Sequence, residues 1–221
     1  EYTHATKSKP KIMEAVNRFY VRTYEQKNDV KSYVASRGIG HNTAQKFELG
    51  YAPLGHETLS FLKESFLSFE EGIETGVLGS DGTRTYARLF ERLTFPIYNA
   101  TGSSIIGFGG RTMGNHPAKY INSPQTPYFN KSQVLYAYHL AKEAIHKHKK
   151  IIVTEGYLDV IMLHQAGFDT AVATLGTALT KEHFPLLRRG EPTVILAYDG
   201  DNAGKSAAYK GAQLLLSGGF R

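Results

Sequence analysis

Between Ile151 and Ser206 the chain reads IIVTEGYLDV, AVATLGTALT and TVILAYDGDNAGKS. Each piece opens with a short continuous apolar run, and the first and third end in acids beside glycine. Helical segments fill the intervals: YLDVIMLHQAG, TKEHFPLLRRG and NAGKSAAYKGAQLLLSGG. Continuous apolar runs of this length suit strands buried on both faces, and strands alternating with helices build a parallel sheet. Successive strand C-termini then share one edge, the edge where open α/β sheets bind ligands. Glu155, Asp199 and Asp201 all fall there. Three carboxylates side by side need a cation or a proton to coexist.

The residues before Ile151 follow other periods. Ile12, Val16, Phe19, Tyr20 and Tyr24 have helical spacing, VKSYVASRG predicts a second helix capped by Asp29 and ended by Gly38, and His41 to Phe47 predicts a third. Gly50 to Gly55 breaks the pattern, and two more short helices are expected before Gly76. From Gly76 the chain predicts strands: Val77-Leu78 returning through TYARLF, then a hairpin turning at Asn99 to Gly102, then KYINS. Ser132 to His148 predicts one amphipathic helix with Val134, Leu135, Tyr138, Ala141 and Ile145 on its apolar face. The expected division is a basic α+β subdomain over residues 1–148 followed by an α/β subdomain over 149–221.

Charge sharpens that division. Residues 1–150 hold 20 Lys/Arg against 13 Asp/Glu, and residues 151–221 hold 6 against 7. A basic half joined to a half with clustered acids suits a polyanion held by one part and metal chemistry done by the other. The chain has no cysteine, which excludes disulfides, Cys-ligated zinc and thiol catalysis within it. No run of 18 apolar residues and no signal peptide occur, so the expected setting is the cytoplasm, without a membrane partner. The opening EYTHATKSKP suggests a piece of a longer protein.

Several motifs fail on spacing. GDNAGKS has three residues between its glycines where a Walker A loop needs four. DGDNAG starts like a calcium loop, but Ala203 and Lys210 stand at its fifth and twelfth positions. GFGGR lacks the third glycine of a dinucleotide fingerprint. His146 and His148, two apart, point to different faces of a helix. The acids remain. Asp199-Gly-Asp201 after TVILAY, and Glu155-Gly156 after IIVT, suit hard cations such as Mg²⁺ or Mn²⁺. Helix capping accounts for Asp199 or Asp201 singly but not for three acids at corresponding strand ends. Asp159, one turn into the next helix, either supports the site or complements the helix dipole.

EGYLDV, ATLGTALT and YDGDNAGKSAA together resemble the TOPRIM module of bacterial DnaG-type primases. SYVASRGI, RLFERLTFPIYNATGSSIIGFGGR and KYINSPQTPYFNKSQVLYAYHLAKEAI are similar to the RNA-polymerase core of the same family, so the resemblance runs from about Met13 onward. It implies DNA-directed RNA primer synthesis from ribonucleoside triphosphates on single-stranded DNA, with Mg²⁺ or Mn²⁺. Glu155, Asp199 and Asp201 match catalytic and metal-binding acids, with Asp159 as an accessory. Arg111, Lys119, Tyr120, Asn122 and Lys131 match positions that handle template or nucleotide phosphates, as do Arg37 and Arg92. Alternatively, Arg37 is a helix-end charge and Arg92 a partner of Glu91 or Asp81. The family's zinc ribbon, its further acidic strand and helical subdomain, and its helicase-docking domain have no counterpart in these residues. A replicative-helicase partner and guanosine alarmone inhibition, at replication forks near the nucleoid, are implied by the resemblance alone.

Overall fold

The computed structural model describes residues 11–221. Three helices open it: α1 (Ile12–Glu25), α2 (Asn28–Ser36) and α3 (His41–Lys46). Gly38 ends α2 in the left-handed region at φ 83°, whereas Asp29 lies inside the first turn rather than at the cap. A three-residue strand, β1 (Gly50–Ala52), follows, then α4 (Gly55–Glu64) and α5 (Phe69–Glu74). A small hairpin, β2 (Leu78–Ser80) with β3 (Thr85–Ala87), packs against those two helices.

Next come β4 (Arg92–Tyr98), β5 (Ile105–Thr112) and β6 (Tyr120–Asn122), which join β1 in an antiparallel sheet of order β1-β4-β5-β6. The break expected at Gly50 to Gly55 is therefore an edge strand, created by pairing Gly50 with Thr94 and Ala52 with Arg92. Such a strand has no periodicity of its own to announce it. β4 is buried along almost its whole length, with Leu93, Phe95 and Ile97 fully enclosed.

The remainder is α6 (Tyr138–His148), β7 (Lys150–Thr154), α7 (Tyr157–Gln165), β8 (Ala171–Ala173), α8 (Phe184–Leu187), β9 (Thr193–Leu196) and α9 (Asn202–Ser217). β8, β7 and β9 form a parallel sheet with β7 in the centre, as the apolar runs predict. Two of its connections differ from expectation. The helix drawn from Ser132 begins at Tyr138, because Tyr136 exchanges backbone hydrogen bonds with Ala173 (2.8 and 3.2 Å) and Ala137 turns left-handed at φ 64°. Val134 and Leu135 thus precede the helix. The segment TKEHFPLLRRG is a 3₁₀ turn over Lys181–His183 and the single-turn α8.

The two sheets meet through aromatic rings. Tyr157 of α7 stacks on Phe95 of β4 with centroids 4.6 Å apart, and Tyr136 meets Tyr157 edge-on at 4.6 Å. Such pairs contribute about 0.5–1.5 kcal/mol each beyond the area they bury. Gly109 of β5 is required here, since a Cβ at that position would overlap the Tyr157 ring. The ring contact fixes where the start of α7, and so Glu155, stands relative to β5 and β6.

Candidate active site between the parallel sheet edge and the basic strands

β7 ends at Thr154, and the chain passes through the exposed Glu155 to Gly156, whose extended backbone caps α7. β9 delivers Asp199 to the same edge. The Asp199 backbone amide donates to Glu155 Oε1 at 3.4 Å, which ties the two strand ends together. Asp201 is the N-cap of α9, its Oδ1 accepting from the Gly204 amide at 2.7 Å. Capping does account for Asp201, and one carboxylate oxygen stays free of that duty. Asp159 stands in the first turn of α7. By area it is exposed, yet burial by neighbouring atoms pushes its carboxyl above the usual value. The charge of Asp199 adds to that shift, and Arg37 opposes it. A cleft of about 490 Å³ opens beside this edge, lined by Glu155, Thr177, Tyr198, Ser206 and Lys210 among others.

Among the described residues no three His, Cys, Asp or Glu side chains converge closely enough to form a ready-made metal cage. The donor set still fits a hard divalent cation. It consists of carboxylates from two neighbouring strand ends and one helix start, with no thiolate or imidazole. The mutual repulsion felt at Asp159 is what a cation there would relieve.

Facing the acids, β5 and β6 present the basic side of the site. Arg111 pairs with Tyr120 across the two strands, and Gly109 pairs with Asn122. The Arg111 guanidinium lies over the Tyr33 ring, 4.4 Å from its centroid, and donates to the Thr112 carbonyl at 2.8 Å. Its Nε and the Tyr33 hydroxyl are buried without partners. Burial raises the Tyr120 phenol, and the Arg111 and Arg37 charges pull it back. Arg37, exposed at the C-cap of α2, therefore acts on both Tyr120 and Asp159. Lys119 and Lys131 are exposed. The Lys131 carbonyl is within 3.3 Å of Nε2 of the buried His183, which ties its turn to the segment after β8.

Asn122 joins the two sides. Its Oδ1 accepts from the Tyr157 hydroxyl, and its Nδ2 would lie 3.1 Å from a Cβ on Gly176. The side-chain amide is thus held with its donors toward the loop after β8. Tyr157, which carries no charge and sits among apolar residues, gives no functional signal in the sequence beyond its place in EGYLDV.

Arg92 is a correction. It is 1% exposed, and its Nη atoms donate to the carbonyls of Gly110 (3.1 Å), Lys119 (3.2 Å) and Ala118 (2.8 Å). Neither Glu91 nor Asp81 pairs with it; Asp81 binds Arg84 instead. Register explains the difference. Arg92 pairs with Thr112 and Leu93 with Arg111, so Arg92 points to the face opposite Arg111. It fastens the 113–119 loop from beneath, with its guanidinium committed to backbone carbonyls.

A parallel sheet with acids at its strand ends, facing a basic antiparallel sheet, defines a TOPRIM-bearing catalytic core. The model of the DNA primase catalytic core N-terminal domain matches residues 19–142, and that of the Toprim domain matches residues 149–221. The chain belongs to the DnaG-type DNA primase catalytic core family. The DNA primase of Helicobacter pylori is 46% identical over 207 residues, covering 92% of this chain and 36% of that protein. That of Escherichia coli is 36% identical over 217 residues, covering 96% and 37%. The chain therefore spans about a third of the length of these curated relatives. Among solved structures, the zinc-binding and RNA polymerase domains of the Aquifex aeolicus primase superpose with a TM-score of 0.88 at 38% identity, covering 94% of this chain and 52% of that one. A DnaG primase catalytic domain bound to ssDNA superposes at 0.82 with 36% identity, covering 93% and 67%. No helix among the described residues is long and apolar enough to cross a membrane.

Proposed function

We propose that this chain carries the nucleotidyl-transfer site of a DNA primase, joining ribonucleoside triphosphates into short RNA primers on a single-stranded DNA template. The observation that carries the reading is the Tyr157–Asn122 hydrogen bond, which holds the acid-bearing strand ends against the basic strands. Family membership supports it, as does the ssDNA bound to one of the similar DnaG catalytic domains. The division at residues 148/149 is part of the same proposal.

Asp199, Asp201 and Glu155, with Asp159 beside them, would hold Mg²⁺ or Mn²⁺. Bound there, the cation supplies charge neutralisation at the attacking 3′-oxygen and at the departing pyrophosphate. The new bond joins that oxygen to the α-phosphorus while the bond to pyrophosphate breaks, and Glu155 or solvent takes the hydroxyl proton. Lys119 and Lys131 are free cations for the triphosphate. Arg111, preoriented on Tyr33, and Arg37 suit the template backbone. Tyr120, 39% exposed, offers a ring on which a base can stack. Asn122 directs its amide donors at the nucleotide.

The test is primer synthesis by the full protein on single-stranded template with NTPs and Mn²⁺. Asp199→Ala/Asp201→Ala should lower the rate by about 10³-fold, with Mn²⁺ affinity falling in parallel. Unchanged Mn²⁺ affinity would remove these acids from the metal site. Nicked template without new RNA would replace synthesis with strand cleavage.

A further inference from the structure

At the opposite edge of the parallel sheet, three separate elements bring cations together. α6 supplies Lys142, Lys147 and its C-cap Lys149, the start of β7 supplies Lys150, and the loop before β9 supplies Arg188 and Arg189. Among them opens a cleft of about 390 Å³ lined by Lys142, Arg189, His146 and Glu143 among others, with Glu191 following in the same loop. The third wall is Thr101, in the turn between β4 and β5. Lys142 Nζ donates to the Thr101 carbonyl at 3.0 Å and Lys149 Nζ to the Gly190 carbonyl at 3.0 Å. Arg188 lies over the Phe220 ring at 4.3 Å. These partners are all neutral. The ion pairs found among the described residues, Lys31–Glu25 and Arg84–Asp81, lie elsewhere, so no ion pair ties up the six Lys and Arg of this patch.

From this geometry we infer a second nucleic-acid contact, in which the cleft takes the sugar–phosphate backbone of a strand running off the active edge. Two features favour a long polyanion over a small anion. The charges, all exposed except the half-buried Lys142, come from three elements around an open cleft, with no buried pocket to enclose a single group. The cleft also lies within one strand's reach of the proposed active site, as the two sheets measure it. β7 leads from Lys150 at the cleft to Glu155 at the active edge, about 16 Å at strand rise. β5 leads from Ile105 beside the turn to Arg111, about 20 Å by the same measure. One strand could therefore touch Arg111 and the cleft together. The proposal rests on the nucleic-acid-binding part of the proposed function.

Lys147→Gln/Lys150→Gln/Arg189→Gln removes three charges without touching any residue placed in the active site. Anisotropy titrations over a KCl series would use single strands of about 8 and about 40 nucleotides, the shorter sized to a single site. Duplex of the longer length forms a third arm. For the longer strand the affinity should fall about 10-fold, and the slope of log K against log[KCl] should become shallower by about 2. The shorter strand should bind as before, and Lys147→Gln alone should give about a third of the slope change. Whichever of single strand or duplex loses more identifies the form that is held. Wild-type slopes with the longer strand would overturn the inference, as would equal losses for both lengths. So would losses confined to vesicles containing phosphatidylserine. A wild-type protein that binds neither length of single strand fails the functional reading itself.

Discussion

In the parallel sheet the chemistry-bearing residues follow the strands: Glu155 comes after β7, and Asp199 and Asp201 after β9. In the antiparallel sheet they lie within or beside the strands, with Arg111 on β5 and Tyr120 and Asn122 on β6. A strand end faces solvent in any parallel arrangement, so its function follows from topology alone. A residue within a strand faces one side or the other according to register. Arg92 and Arg111 show the consequence: across neighbouring strands, one is enclosed by backbone carbonyls and the other lies on a tyrosine at the site.

The sharpest way to break this comparison is at Arg92. Arg92→Ala would remove three hydrogen bonds to backbone carbonyls and leave the enclosed space of the side chain unfilled, and should cost about 3 kcal/mol of stability. For a chain of this size that lowers the melting midpoint by about 9 °C. A stable Arg92→Ala protein with weakened strand binding would return Arg92 to the site.

A smaller effect is expected where α6 meets the end of β4. His139 stacks on Tyr98 with centroids 4.4 Å apart. Burial lowers its pKa to about 4, with Lys142 contributing. The fold favours the neutral ring, so this stability is present above the unfolded value of about 6.5 and is lost as pH falls toward 4. Urea titrations at pH 7 and pH 4 should show a pH-dependent loss about 2 kcal/mol smaller in His139→Gln than in the wild type. Identical losses would mean that His139 titrates normally.

Arg111→Lys keeps the charge but loses the planar group over Tyr33. Template affinity should fall about 10-fold, or about 1.4 kcal/mol, with stability changed by less than about 1 kcal/mol. A loss of stability matching that of Arg92 would erase the contrast between them.

The mildest change is Tyr157→Phe, which keeps the stack on Phe95 and removes the hydroxyl bonded to Asn122. The nucleotide KM should rise about five-fold with little change in kcat. Asn122→Ala should produce the same KM effect, and the double variant should add nothing further. Additive effects would separate the two residues.

The parallel half was largely legible. Apolar runs, intervening helices and terminal acids predict β7, β8, β9 and the shared edge, because buried parallel strands advertise themselves by composition. Arg37, Arg111, Tyr120 and Asn122 do gather on one side of that edge. The misses have one cause. β1, the late start of α6 and the burial of Arg92 each depend on backbone pairing with a distant segment: Gly50 with Thr94, Tyr136 with Ala173, Arg92 with Thr112. No local period encodes a partner that is tens of residues away.

By itself, the sequence determined the order of elements in the parallel half and the placement of three acids at strand ends, since both follow from local periodicity and connection rules. Tertiary structure alone decided that one Asp201 oxygen caps a helix and that Arg92 binds backbone carbonyls. It also decided that Tyr157 is the post tying acids to bases. Each of those outcomes is a competition for a hydrogen-bond partner, and packing determines which partners come within reach.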